Sequence, residues 1–247
     1  MAKRKRKNNK GWQGSDGHAN ELTSYSLESS DALIRRVDEI KERMLNMKKA
    51  GRPSNVFSDG EGEFWNRLPP QAKLYYHNLL FLGTIAVCEL KDAFYGNELP
   101  DIPVWHVSIL CDLGIVDGYF DTESALIGLN TIMHMNYDDP ENKLLETVAH
   151  ELVHYWCHHQ GIADVEERCS ELTGKEVLFH NAEFKKAAEK HGLRCRFGVE
   201  GFSRTELTDE AWARIRKECA LTNFLREYAQ QRRCKQRSRF RPMHQLG

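Results

Sequence analysis

The sequence has no paired-cysteine motif. Its seven cysteines, at positions 88, 111, 157, 169, 195, 219 and 234, form no CxxC spacing, and their number is odd. A disulfide framework and a four-cysteine zinc ribbon both need regularly placed pairs. The sequence therefore disfavours a secreted, disulfide-stapled protein and predicts a reducing, intracellular compartment.

The chain also lacks long apolar runs. No stretch reaches the roughly 20 residues of a membrane span, and no apolar signal-peptide segment follows the basic start. We expect no membrane association, and a location in the cytoplasm or nucleoid, or in the nucleus if the host is a eukaryote. Hydrophobic residues nevertheless make up 40% of the 247 positions, which is enough for the core of one sizeable domain.

Acidic residues are missing from both ends of the chain, although the formal net charge is only -1. Residues 3–7 are all basic, and no acid follows Glu227. Such blocks are usually solvated tails, and their commonest functional use is docking on phosphate backbones. A nuclear localisation signal is a third reading. The C-terminal block comprises Arg232, Arg233, Lys235, Arg237, Arg239 and Arg241.

Changes in composition divide the chain into four parts. Residues 1–28 form a polar, basic tail that we expect to be disordered, and 29–70 an amphipathic helix followed by a linker. Residues 71–215 form the main domain, and 216–247 a C-terminal helix and basic tail. The first helix starts at Ser29 or Ser30, stops at 51–53, and carries an apolar seam of Leu33, Val37, Ile40, Met44 and Met47.

Periodicity within the main domain predicts both helices and strands. A core helix covers 71–95, with an apolar stripe of Leu74, Leu79, Leu82, Ile85, Ala86 and Leu90. Strands are expected over 104–110, from Gly118 and over 125–133. Asp139 and Pro140 predict the start of a further helix. Beyond that helix we expect short helices over 165–173 and 181–191, a strand over 194–199, and one helix over 207–233.

This further helix carries an HExxH motif, formed by His150, Glu151 and His154. Two histidines four positions apart project from one side of a helix, close enough to bind one metal ion, and the intervening glutamate points at the water that the metal holds. Helical periodicity separates an apolar back from a polar front that also includes His158. The pattern predicts a zinc hydrolase.

A catalytic zinc needs a third protein ligand, and the sequence offers several. His158 extends the same face, but the helix would have to bend to bring three turns to one ion, and His159 lies off that face. The HExxHxxGxxH class needs a histidine where this chain has Gln160. We favour His180, at the start of the next helix, over the remaining carboxylate candidates, Glu166, Glu167 and Glu171.

With these residues the sequence resembles the SprT-like, or Spartan-type, zinc metalloproteases. Members pair an HExxH helix with a later helix start of the form H-(G/N)-x-x-F, which matches His180-Asn181-Ala182-Glu183-Phe184. Segments 96–100, 118–120, 127–130 and 189–193 resemble other parts of the family core. The likeness covers roughly residues 75–215. It does not extend to the zinc ribbon or the partner-binding motifs that many members carry after the core.

The resemblance implies that His150, His154 and His180 bind Zn²⁺ and that Glu151 is the catalytic general base. It also implies an α+β, zincin-like fold, with a small sheet beside the HExxH helix. Phe184 is expected to pack, whereas Tyr155 and His158 either steady an oxyanion or have a second-shell or purely structural role.

We therefore predict a zinc-dependent endopeptidase that acts on DNA-associated proteins, with the basic tails as the expected DNA contacts. The alternatives are a DNA-associated binding protein that uses zinc only to hold its fold, and a metal-dependent hydrolase with a non-protein substrate.

Overall fold

A computed structural model of the protein describes residues 34–40, 42–43, 70–107, 117–135, 137–169 and 176–239. The amphipathic helix predicted to start at Ser29 or Ser30 is helical at 34–40 and 42–43, which we call the N-terminal segment. Its proposed start, its stop at 51–53 and the linker that follows lie outside the described residues. The other helices are α1 Pro70–Tyr95, α2 Thr131–His134, α3 Pro140–His159, α4 Ala182–Lys190, α5 Asp209–Glu218 and α6 Ala220–Arg239.

The strands form two small sheets. In the first, β3 (Leu126–Asn130) lies between β1 (Val104–Val107), to which it is parallel, and β2 (Gly118–Asp121), to which it is antiparallel. The second has the order β4-β5-β7-β6 and contains β4 Val165–Cys169, β5 Glu176–His180, β6 Leu193–Gly198 and β7 Gly201–Leu207. This mixture of helices and small sheets is compatible with an α+β metalloprotease-like domain.

Helix α3 lies at the centre of the packing because its apolar back faces α1. Leu145, Val148 and Leu152 are fully buried there, as the periodicity predicted. The stripe predicted on α1 is also buried, except for Leu74, which is 46% exposed, so that its assignment to the core was wrong. Burial of this two-helix interface fixes α3, and with it the polar front that carries the motif.

Some elements differ from the sequence prediction. The helix expected over 165–173 is wrong, because Val165–Cys169 pairs with β5 along its whole length. The single helix expected over 207–233 is two helices with a break at Cys219. The buried Glu89 carboxylate of α1 stabilises this break, because it accepts hydrogen bonds from the backbone N–H groups of Leu221 and Thr222 at 3.4 and 2.7 Å.

Two smaller corrections concern the motif helix and the segment before it. The β-like run over 125–133 ends at Asn130 and continues as α2. Asp139 precedes Pro140 at the start of α3, as predicted, but its side chain makes no capping hydrogen bond. It instead accepts from Asn142 Nδ2 at 2.7 Å.

The N-terminal segment packs on the domain rather than standing free. Ile40 is fully buried beside Ile85, Cys88 and Leu221. The cysteines whose side chains the structure describes are unpaired, namely Cys88, Cys157, Cys169, Cys195 and Cys219. No helix in the described ranges is both long and apolar enough to cross a membrane.

Ion pairs around Asp92 attach the N-terminal segment to α1. Arg36 and Arg43 donate to its carboxylate at 2.7 and 2.8 Å, and Lys91 Nζ lies 3.0 Å away. Burial by itself raises the pKa of Asp92, but the hydrogen bonds from Arg43, Arg36 and Lys91 outweigh it and lower the pKa to about 2. The carboxylate is therefore more stable in the folded chain than in the unfolded one.

We expect Asp92→Asn to lower the free energy of unfolding at neutral pH and to flatten its acid dependence. Because the folded pKa is depressed, this contribution is present above the unfolded pKa near 4 and is lost as the pH falls through about 2. Urea unfolding between pH 5 and 2 measures it, with Glu123→Gln in an exposed turn as the control. An unchanged slope in Asp92→Asn over that window contradicts the role of Asp92.

Candidate metal centre

The motif residues reach the site from two elements. His150 and His154 project from α3, one helical turn apart. His180 is the last residue of β5, and Asn181 follows it as the N-cap of α4, with its side chain accepting the backbone N–H groups of Glu183 and Phe184. The end of the strand and the cap together turn the chain sharply, which leaves the His180 ring facing α3.

Three imidazole nitrogens meet at one point. The Nε2 atoms of His150 and His154 are 3.1 Å apart, those of His154 and His180 are 3.1 Å apart, and those of His150 and His180 are 3.2 Å apart. Ligand atoms at about 2.0–2.1 Å from a tetrahedral zinc are separated by about 3.3–3.4 Å, close to this triangle. The cluster is compatible with a metal site, and a three-histidine set leaves the fourth position open.

The second nitrogen of each ring on α3 has its own partner. His154 Nδ1 lies 2.6 Å from Asp164 Oδ2, and His150 Nδ1 lies 3.0 Å from Thr205 Oγ1. We assign the Nδ1–H donor to both rings, because a carboxylate can only accept and a hydroxyl can accept. The Nε2 lone pairs then point into the cluster, which is the tautomer that a metal requires.

His180 is held by the turn between β6 and β7. The carbonyl of Glu200 accepts the backbone N–H of His180 at 3.0 Å and lies 3.3 Å from its Nδ1. Gly201 pairs with His180 and has a φ of +71°, and a Cβ there would lie 2.1 Å from the His180 carbonyl oxygen. Only glycine therefore permits the close approach that holds this ring in place.

The environment favours the neutral form of His150 and His180. Burial, followed by the neighbouring rings, lowers the pKa of His150 well below its usual value. Burial and His154 lower the pKa of His180 to about 4. Metal binding needs neutral imidazole, so the environment prepares these two side chains for that role.

Phe184 supports the cluster from one side. Its ring centroid lies 4.9, 4.7 and 4.6 Å from those of His150, His154 and His180, and its side chain is fully buried. The residue that the sequence assigned to packing thus packs against all three imidazoles.

Glu151 is buried beside the cluster rather than exposed. Glu151 is 4% exposed, and burial raises the pKa of its carboxyl to about 7. The charges of Asp117 and Asp164 also raise this pKa. The Oε1 atom of Glu151 faces Gly118 of β2, where a Cβ would lie only 3.0 Å from it. A carboxyl with this pKa can both take up and release a proton near neutral pH.

An open cleft of about 620 Å³ exposes the site. Its walls come from α3, from β2, and from the β6–β7 hairpin, and His150, Glu151 and His180 all line it. The cluster therefore lies on the wall of a cleft that is open to solvent.

The other candidates from the sequence lie away from the cluster. Tyr155 donates to the Pro100 carbonyl at 3.3 Å, and the ring of His158 packs on Phe120; neither lines the cleft. Within the described part of the chain, the carboxylate candidates Glu166 and Glu167 are exposed on β4 and are not in the cluster, and Glu171 lies outside the described residues. Sequence reasoning missed Asp164, Thr205 and Glu200, which belong to no motif.

We expect Asp164→Asn to weaken zinc affinity by about 10- to 100-fold without unfolding the protein, because it replaces the charged acceptor of the His154 Nδ1–H group with a neutral amide that holds the ring less firmly. Titration with zinc against a competing chelator measures the affinity. Glu166→Gln, on an exposed strand position, is the matched control. Equal affinities for the two variants contradict a metal site oriented by Asp164.

The comparison with known families agrees with this geometry. The family model of the IrrE N-terminal-like domain (Peptidase_M78) matches residues 107–193, less than half of the chain but a range that includes the HExxH helix and His180. That family is zinc-metallopeptidase-like. No curated protein and no solved structure matches the chain. The SprT-like assignment stays a prediction, and what the match indicates is metallopeptidase-like or regulatory function.

Proposed function

We propose that this protein is a zinc-dependent endopeptidase of the SprT-like type, with His150, His154 and His180 as the zinc ligands and Glu151 as the general base. The observation that carries the proposal is the triangle of Nε2 atoms at 3.1–3.2 Å, with a buried carboxyl beside it at the edge of an open cleft. A purely structural site has no need of such a carboxyl or of access to solvent.

The chemistry follows from these positions. When bound, zinc supplies a Lewis acid that polarises a peptide carbonyl and lowers the pKa of water. Glu151 takes the proton of the attacking water and passes it to the leaving amine. Asp164, Thr205 and the Glu200 carbonyl hold the imidazole rings while this happens.

The SprT-like type is supported by the link between His180 and Phe184. In the resembling family, a phenylalanine follows the third ligand by four positions, and here that ring contacts all three imidazoles. The Asn181 side chain caps the helix that follows His180 and accepts the backbone N–H of Phe184, which holds Phe184 in the first turn of that helix. The match to the IrrE N-terminal-like domain supports the broader metallopeptidase assignment.

DNA-associated proteins are the proposed substrates because both ends of the chain are basic, and lysine and arginine clusters bind phosphate backbones without reading sequence. The block at 3–7 lies outside the described residues. Arg233 does not belong to a free tail, since it pairs with Glu141 and Asp139 at 3.0 and 3.4 Å. The DNA-binding part of the C-terminal block therefore starts after Arg233.

Cleavage of a DNA-bound basic protein is expected to stop when zinc is removed with a chelator and to return when zinc is added back. A product ladder on gels measures this, with and without double-stranded DNA. Deletion of 1–10 and 234–247 is expected to remove the stimulation by DNA and to reduce the salt dependence of DNA binding. The deletion keeps Arg233 and with it the ion pair to Glu141.

The remaining outcomes of this experiment support the two alternative functions, a binding protein with a structural zinc or a hydrolase with a non-protein substrate. Zinc bound at one equivalent with no cleavage of any protein, with or without DNA, supports a DNA-associated binding protein with a structural metal. Cleavage of small amides but not of proteins supports a hydrolase with a non-protein substrate. Stimulation that is unchanged by the deletions removes the argument for DNA from the tails.

A further inference from the structure

Two arginines lie side by side on the hairpin that borders the cleft. Arg196 of β6 and Arg204 of β7 are cross-strand partners in the antiparallel register. Directly opposed side chains of an antiparallel pair share one face of the sheet and lie close together, and like charges in that position destabilise the sheet. The fold therefore keeps two cations together at a cost.

The two arginines differ in what they contact. Arg196 donates to Glu206 Oε2 at 2.9 Å, which occupies one side of its guanidinium group. Arg204 makes no hydrogen bond or ion pair with any part of the chain that the structure describes, and its Nε lies alongside the open backbone of Gly198. The two guanidinium groups therefore have N–H donors that make no hydrogen bond to any group of the described chain.

Their position connects them to the metal centre. Both residues line the same cleft as His150, Glu151 and His180. Arg204 directly precedes Thr205, whose hydroxyl lies 3.0 Å from His150 Nδ1. Successive side chains of a strand point to opposite faces, so Arg204 borders the cleft from the face of β7 opposite to the Thr205 hydroxyl.

We propose that Arg196 and Arg204 bind a carboxylate of the peptide substrate near the scissile bond; this rests on the endopeptidase function proposed above. Guanidinium groups bind carboxylates through two parallel hydrogen bonds, which makes them selective for this planar anion. The carboxylate belongs either to an acidic side chain or to the C-terminus of the substrate.

The charges of the cleft argue against a phosphate backbone at this place. Lys143 is its third cation, and it lies 3.6 Å from Asp117. Five carboxylates line the same walls, namely Asp117, Glu146, Glu151, Glu200 and Glu206. A polyanion that follows the cleft would be repelled by all five, whereas a single carboxylate at the arginine pair has only Glu206 beside it, and that group is neutralised by Arg196.

The test uses quenched fluorescent peptides that carry glutamate or glutamine at each position around the scissile bond, each with a free or an amidated C-terminus. For wild type we expect kcat/KM to be about 10- to 100-fold higher for the carboxylate at one position, which is the range for a hydrogen bond to a charged group. In Arg204→Gln the ratio falls to about one. Arg194→Gln, with the same charge change on β6 but outside the cleft, keeps the wild-type ratio.

The outcomes separate this proposal from the proposed function. If wild type cleaves none of the peptides, the same glutamate and glutamine pairs are bound to Glu151→Gln and measured by fluorescence anisotropy. A preference for glutamate that disappears on adding Arg204→Gln supports the arginine pair even if the peptidase proposal fails. No preference in either assay overturns it, as does an Arg204→Gln variant that loses affinity only for a short oligonucleotide.

Discussion

Glu151→Gln is expected to lower kcat for protein cleavage by about 10²–10⁴-fold while the protein still binds one zinc ion. The amide has nearly the same shape as the carboxylate but cannot take a proton from water. A loss in kcat of about 10²–10⁴-fold is the effect expected when a positioned general base is removed. The three imidazoles and their partners are untouched by this change. Zinc content by mass spectrometry and the rate on one protein substrate measure the two parts.

Two controls make this result specific. Glu166→Gln changes the same functional group on exposed strand β4 and is expected to keep the wild-type rate. His180→Ala removes a proposed ligand and is expected to lose both zinc and activity. A Glu151→Gln enzyme that retains zinc and cleaves at the wild-type rate would falsify the general-base role. Loss of zinc in Glu151→Gln shows instead that the carboxyl supports the metal site.

The three histidines of the cluster could be predicted from the sequence because they lie in short motifs. His150 and His154 are one turn apart, so helical geometry alone brings them together. His180 lies 26 residues beyond His154, and its place was favoured because a helix start follows it; the Asn181 cap agrees with that reasoning. Asp164 and Thr205 could not be found in this way, since their contact with the rings depends on how α3 meets the second sheet.

The same distinction explains which elements were predicted. Helix α3 has an apolar back and a clear start, so that local pattern determines it. Strand β4 consists largely of exposed charged residues, including Glu166 and Arg168, and is extended because β5 pairs with it. The break at Cys219 depends on the Glu89 carboxylate of α1, which is 132 residues from Leu221 in sequence. Contacts between segments that are distant in sequence leave no periodic pattern from which the element could be predicted.

Arg233→Ala is expected to destabilise the protein by about 3–5 kcal/mol, the usual cost of breaking a buried ion pair from one side. The Glu141 carboxylate at the start of α3 is fully buried, and its charged partner is Arg233 Nη2 at 3.0 Å. Tyr75 donates to the other oxygen at 2.7 Å and remains in the variant. One hydroxyl does not compensate a buried charge, so unfolding becomes easier.

The neighbouring residue provides a matched control. Arg232 is exposed and, within the described part of the chain, donates to the Tyr228 hydroxyl of its own helix, so Arg232→Ala is expected to cost less than about 1 kcal/mol in the same urea titration. In a Glu141→Gln background, Arg233→Ala is expected to cost less than it does alone, because no uncompensated carboxylate remains. Equal losses for Arg232→Ala and Arg233→Ala mean that the C-terminal arginines form a free basic tail from residue 232 onward. A larger loss for Arg233→Ala shows that α6 secures the start of the HExxH helix.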